Sequence, residues 1–254
     1  MPQQVKEILL GRRAEVIMLI GLFGGLSFLT AKMTQESASP QGLLAQMPMW
    51  AGFLLGVGLM IMIILVGMLF VGFLRSIVHE PLVGRHPFEL LALGRMLFWK
   101  LFVPYLMFEL AWTFLSLLVM TILHLLLKGK MSTAATPEWL LRLSQLIGLA
   151  ILIKPFLLLP TLVILQNPPL LQALAAIRQI PLTAVKPVMK VLWTGLAMMI
   201  ILLIILYKIP FPKPYGWVRT GLLTTAGGGV LLVCFVTCIH ELGQYVEQPP
   251  EEMP

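Results

Sequence analysis

From Leu101 to Leu127 the sequence reads LFVPYLMFELAWTFLSLLVMTILHLLL, an apolar run interrupted by a single carboxylate, Glu109. About 20 such residues suffice to cross the hydrocarbon layer of a bilayer. Five further runs resemble it: Val16–Ala31, Trp50–Leu74, Gln145–Leu165, Leu192–Tyr207 and Thr220–Ile239. The chain is 59% hydrophobic and only 11% charged, whereas a soluble domain carries roughly a quarter charged residues. There is too little polar surface to keep it in water, so lipid must cover most of it. In lipid every backbone N–H and C=O must be satisfied internally, and apolar runs of this length do so as helices. The expected fold is an all-α, polytopic membrane bundle of about six transmembrane helices. It forms one integral membrane domain over 1–246, followed by a disordered acidic, Pro-rich tail over 247–254.

Two amphipathic stretches interrupt the pattern. FELLALGRMLF (Phe88–Phe98) sets Leu90, Leu91, Met96 and Leu97 against Glu89 and Arg95. LLQALAAIRQI (Leu170–Ile180) sets Leu170, Leu171, Leu174 and Ile177 against Gln172, Arg178 and Gln179. Each follows proline, which suits a helix start, and each feeds an apolar run, so the chain carries an internal half-repeat. We expect both to lie flat in the headgroup layer as interfacial helices, with Arg95 and Arg178 at the polar edge. The alternative is that each simply extends the membrane helix after it.

The first run follows a basic head (Lys6, Arg12, Arg13) and could pass for a secretion signal. It is long for one, and an uncleaved helix is the expectation. Gly21, Gly24 and Gly25 give it a small-residue face for close packing. Gly52 and Gly56 have GxxxG spacing, a weak signal read as ordinary packing. Pro155 and Pro160 should kink the fourth run. Gly227–Gly229 mark a bend or a close approach in the sixth.

The net charge of +7 is scattered between apolar runs. It is not gathered into the patch that nucleic-acid binding requires, so no nucleic-acid partner is expected. Placing both termini in the cytoplasm puts Lys6, Arg12, Arg13, Arg75, Arg85, Arg95, Lys100, Arg178, Lys186 and Lys190 on that side. That is ten of the 18 Lys and Arg, against seven opposite and Lys154 within the membrane. The bias favours a multi-pass plasma (inner) membrane protein with both termini inside.

Chemistry is sparse. All 11 acidic residues are Glu, which excludes reactions that need Asp, including Asp-dense Mg²⁺ loops. No phosphate-cradling GxxxxGK[ST], HExxH or CxxC occurs. Cys234 and Cys238 share a helix face and read as small buried apolar residues. His79, Glu80, His86 and Glu89 match no compact metal-ligand spacing and read as solvated loop residues. Ser116, His124 and Glu109 stand seven or eight residues apart on one helix, about 10 Å along its axis, too far for a triad. No catalytic residue, metal site or cofactor is expected.

The two intramembrane charges, Glu109 and Lys154, are the candidate site. On antiparallel helices their depths differ by only about 4–5 Å, which invites a salt bridge or a shared polar cavity. A charge at the helix centre costs roughly 2.5–3.5 kcal/mol on insertion scales, and pairing offsets much of that.

The order of two helices, amphipathic segment, two helices, amphipathic segment and two helices carries a resemblance. So do the stretches LLLPTLVILQNPPLLQALAAIRQIPLTAVKPVMKVLWTGLAMMIILLIIL and FELLALGRMLFWKLFVPYLMFEL. Over residues 50–207 the chain resembles a broad family of bacterial and archaeal six-helix membrane proteins. That family is related to the membrane domain of some glycerophosphodiester phosphodiesterases. The resemblance implies the fold and no functional residue; the catalytic phosphodiesterase domain has no counterpart in this sequence. The resulting expectation is a non-enzymatic scaffold, assembly factor or complex subunit, with the bilayer and other membrane proteins or further copies of itself as partners. The alternatives are a small-solute or proton-coupled transporter using Glu109 and Lys154, and an intramembrane lipid enzyme.

Overall fold

The computed structural model describes residues 2–37, 46–127, 138–180, 182–209 and 215–247. All the regular structure among them is helical: α1 (Gln3–Gly11), α2 (Arg13–Ser37), α3 (Met49–His79), α4 (Pro87–Leu127), α5 (Glu138–Gln166), α6 (Leu170–Gln179), α7 (Leu182–Lys208) and α8 (Gly216–Glu247). Five stretches are long and apolar enough to cross a membrane: Arg13–Glu36, Met49–His79, Pro87–Leu126, Val185–Leu206 and Gly216–Gln244. A sixth is added if Lys154–Gln166 and Leu170–Gln179, bent by 119°, count as one broken span. The chain is thus a multi-pass helical membrane protein. Of the acidic tail expected over 247–254, Glu247 instead closes the last helix, which continues past Ile239, and the rest lies outside the described residues.

Two compact units divide the chain. One comprises the residues up to Phe98 together with those from Ile180 on, and the other is Trp99–Gln179. In the first, α8 is the central element, packing on α2, α7 and α3. Leu232, Phe235, Val236 and Ile239 are buried, and so are Cys234 and Cys238. Some 39% of the most apolar stretch of α8 is buried, against 11% for α3 and 6% for α4; the open faces of α3 and α4 are what lipid must cover.

Glycine sets the helix spacing in this unit. A Cβ on Gly72 of α3 would overlap the Leu90 carbonyl of α4, and a Cβ on Gly94 of α4 would overlap the Met68 carbonyl of α3. Backbone therefore touches backbone at this crossing, which only a missing side chain permits. Of the glycines expected to pack α2, Gly24 does: a Cβ there would lie 3.2 Å from the Thr225 side chain, while Gly21 and Gly25 face open space. Gly52 and Gly56, the GxxxG pair, also have nothing within 4 Å. Among the three successive glycines of α8, Gly228 receives the Phe23 ring, and the helix runs through them without a break.

The two amphipathic stretches differ. Phe88–Phe98 is the first part of α4, one helix from Pro87 to Leu127, so here the extension alternative holds. No helix breaker stands between Phe88 and Leu101, and Pro104 is carried inside the helix. Leu170–Gln179, by contrast, is a separate short helix. Asn167 before it has φ 51°, a left-handed conformation that Asn tolerates better than most residues. Pro168 and Pro169 follow and cannot continue α5. The half-repeat in sequence thus gives an unbroken helix once and a sharp turn once.

Candidate functional site

The second unit is built where α4 and α5 meet. Tyr105 and Phe108 of α4 meet Phe156 of α5, with ring centroids 5.9 and 4.6 Å away. One turn further along α4, Trp112 donates its indole N–H to the Gln145 carbonyl at 2.9 Å. Ser116 then faces Gly148, where a Cβ would lie 2.8 Å from the Ser116 hydroxyl. Residues 105, 108, 112 and 116 follow helical spacing and form one stripe. A cavity of about 100 Å³ opens beside this seam, lined by Trp112, Thr113, Ser116, Leu117 and Gln145.

Ser116 is unusual in this setting. Hydroxyls elsewhere in these helices bond back to the preceding turn: Ser27 to the Phe23 carbonyl at 2.8 Å, Thr161 to Leu157 at 2.7 Å, Thr237 to Val233 at 2.8 Å. Ser116 is 7% exposed, and its hydroxyl oxygen is buried with no hydrogen-bond partner. The sequence marked Ser116 only as part of a triad too spread out to work. It faces Gly148, a contact that no periodicity in the sequence announces.

Glu109 and Lys154, the predicted pair, lie on this same helix pair, but the ion pairs found among the described residues do not include them. The reason is angular. Phe156 faces α4, and Lys154, two residues earlier, is turned about 200° away around α5. It shares the face of Leu157 and Leu158, both buried. Glu109 lies on the exposed side of α4. The matched depth of the two residues was sound geometry, but their azimuths differ.

Arg95 and Arg178 are both exposed, Arg178 in the last turn of α6. There its positive charge complements the helix dipole. The apolar arc of α6 is divided: Ala173 and Ile177 are buried, while Leu171 is 80% exposed. At the turn before α6, Lys100 of α4 donates to the Asn167 side-chain oxygen at 2.7 Å.

The first unit holds a charge cluster that sequence reasoning missed. Arg12, counted above as an orientation charge, is 1% exposed and makes a two-pronged ion pair with Glu15, 6% exposed. Its guanidinium lies over the Phe73 ring, 4.9 Å from the centroid. Glu15 also accepts the backbone N–H of Arg85 at 2.6 Å, and Arg85 pairs with Glu80 at 3.0 Å. The loop between α3 and α4, expected to be solvated, is in this way fastened to the start of α2. One signal was available: Val5, Ile8, Arg12, Glu15 and Leu19 recur at helical spacing and are all buried, which places Arg12 and Glu15 on an otherwise apolar stripe.

No family model, no curated protein and no solved structure matches this chain.

Proposed function

We propose that this protein is a non-catalytic subunit, scaffold or assembly factor of a larger complex in the plasma membrane, with both termini in the cytoplasm. The observation that supports this reading is Glu109: exposed on α4, inside an apolar run, with no ion pair to Lys154. A charge left in that position costs roughly 2.5–3.5 kcal/mol on insertion scales. A hydrogen-bond donor on a neighbouring membrane chain, another protein or a second copy, offsets that cost. The open faces of α3 and α4 offer the area for such a neighbour. Arg95 and Arg178 belong to interfacial surfaces in this proposal, with the exposed leucines of α6 dipping below the headgroups. Kinship with the six-helix family named above is part of the same proposal.

The test is native mass spectrometry after extraction in mild detergent. A stoichiometric assembly is expected, weakened by Glu109→Gln while the thermal stability of the chain itself is unchanged. A solitary chain, or an assembly indifferent to Glu109, overturns the proposal.

A second reading, a small-solute transporter, is favoured by one feature. Broken helices with Pro-interrupted flanks are a recurrent device of secondary transporters, and α5 carries Pro155 and Pro160 just before the 119° turn into α6. It predicts stabilisation of a monomer by a transported solute.

A further inference from the structure

We infer that the cavity between α4 and α5 binds the head of a neutral amphiphile drawn from the bilayer, one that carries a hydroxyl or carbonyl on an apolar body. Four observations lead there, and none depends on whether the chain has protein partners.

The first is the orphan hydroxyl. Ser116 is buried, its oxygen has no partner, and it lines the cavity. A buried hydroxyl left unsatisfied carries its desolvation penalty uncompensated, so a ligand that bonds it gains over an apolar competitor. The second is the kind of lining. Thr113, Ser116 and Gln145 are the lining residues whose side chains carry groups able to donate and accept. Among the described residues the lining is uncharged, and a neutral head needs no counter-ion there, whereas an unpaired ionic head is costly to bury.

The third is size. About 100 Å³ is some three water volumes at roughly 30 Å³ each, enough for a head of a few atoms and too small for a whole amphiphile. The fourth is what adjoins it. Leu110, Phe114 and Leu117 of α4 are 60%, 71% and 51% exposed. They form an apolar track along which the body of such a molecule can lie while its head enters the cavity. Ser116 is eleven residues from Leu127, about 16 Å along the axis, so the site lies within the apolar run and a ligand reaches it from the membrane.

Trp112 lines the site and serves as the reporter. The protein is prepared with Trp112 as its sole tryptophan, the other five replaced by phenylalanine, and titrated in detergent with 2-bromo-1-undecanol, whose bromine, next to the head, quenches indole fluorescence on contact. Saturable quenching is expected. 2-Bromoundecane, lacking the head, should quench only in proportion to its partitioning, and 2-bromoundecanoate should bind at least tenfold more weakly than the alcohol.

Ser116→Ala should raise the half-saturating concentration at least tenfold with an unchanged or higher melting temperature, since it removes a group with no partner. Gly148→Ala should also raise it, by crowding the hydroxyl, but with a lower melting temperature, because the added methyl overpacks the contact. Non-saturable quenching by all three probes would leave a water-filled groove and overturn the proposal. So would equal midpoints for the alcohol in Ser116→Ala and its parent, or displacement by glycerol, which would make the ligand an aqueous solute.

Discussion

The rings of Phe108 and Phe156 lie with centroids 4.6 Å apart, and this contact is what separates the two intramembrane charges beside it. Glu109 is the next residue along α4, about 100° around the axis, and Lys154 is two residues back along α5, about 200° around. Each charge therefore answers to its own surroundings. Glu109→Gln and Lys154→Met should combine additively: in a double-mutant cycle measured by unfolding in mixed micelles, their coupling should stay below about 0.5 kcal/mol. Coupling of 1 kcal/mol or more would mean that the pair forms.

The crossing of α3 over α4 yields a contrast between glycines. A methyl group on Gly72 has nowhere to go except into the Leu90 backbone, which cannot rotate aside as a side chain can. Gly72→Ala should cost about 1–3 kcal/mol, the range for overpacking a filled contact. Gly94→Ala should behave in the same way. Gly52→Ala, on the open stretch of the same helix, should fall within about 0.5 kcal/mol of the parent. Thermal unfolding in detergent separates the two outcomes, and equal effects at Gly72 and Gly52 would refute the close crossing.

What the sequence makes legible here is whatever depends on length and apolarity. The apolar runs become helices because lipid leaves the backbone no other way to satisfy itself, and the breaks around Asn167-Pro168-Pro169 are written in residues that cannot continue a helix. Contacts fixed by rotation about a helix axis are not written so plainly. Depth along a helix follows from counting residues, so Glu109 and Lys154 could be matched in height. Facing direction depends on which stripe packs, and that is settled by aromatic and glycine contacts distant in sequence, such as Phe156 and Gly148. The GxxxG at Gly52 has the right spacing and no neighbour, while the tight crossing at Gly72 and Gly94 joins two helices and appears in neither segment alone. Arg12 illustrates a related point: near a membrane edge a basic residue reads as an orientation charge, and only the stripe it shares with Val5 and Leu19 shows that its side chain is buried.

Arg12 should be among the most sensitive charged positions. Removing it as Arg12→Met leaves Glu15 buried without its cation, and breaking one side of a buried pair costs about 3–5 kcal/mol. Arg12→Lys should also destabilise, because an ammonium group cannot make the two-pronged contact. The double variant Arg12→Met, Glu15→Leu should recover only part of the loss, since the Arg85 N–H forfeits its acceptor. Chemical unfolding of the four proteins checks the order; a single variant no worse than the double would refute the buried pair.

The turn between α5 and α6 rests on Asn167, whose left-handed backbone (φ 51°) and side-chain contact with Lys100 (2.7 Å) act at one point. These two contributions can be separated. Asn167→Gly keeps access to the left-handed region and loses only the Lys100 contact, so its stability should stay within about 1 kcal/mol of the parent. Asn167→Val loses the contact and also forces a β-branched residue into a conformation costing about 1–3 kcal/mol. The geometric consequence is measurable with spin labels at the exposed positions Ile151 and Leu171, one on each side of the turn. Their distance distribution should be narrow and unchanged in Asn167→Gly, and shifted or broadened in Asn167→Val. If valine leaves the distribution as glycine does, the prolines at 168 and 169 set the angle by themselves and Asn167 has no part in it.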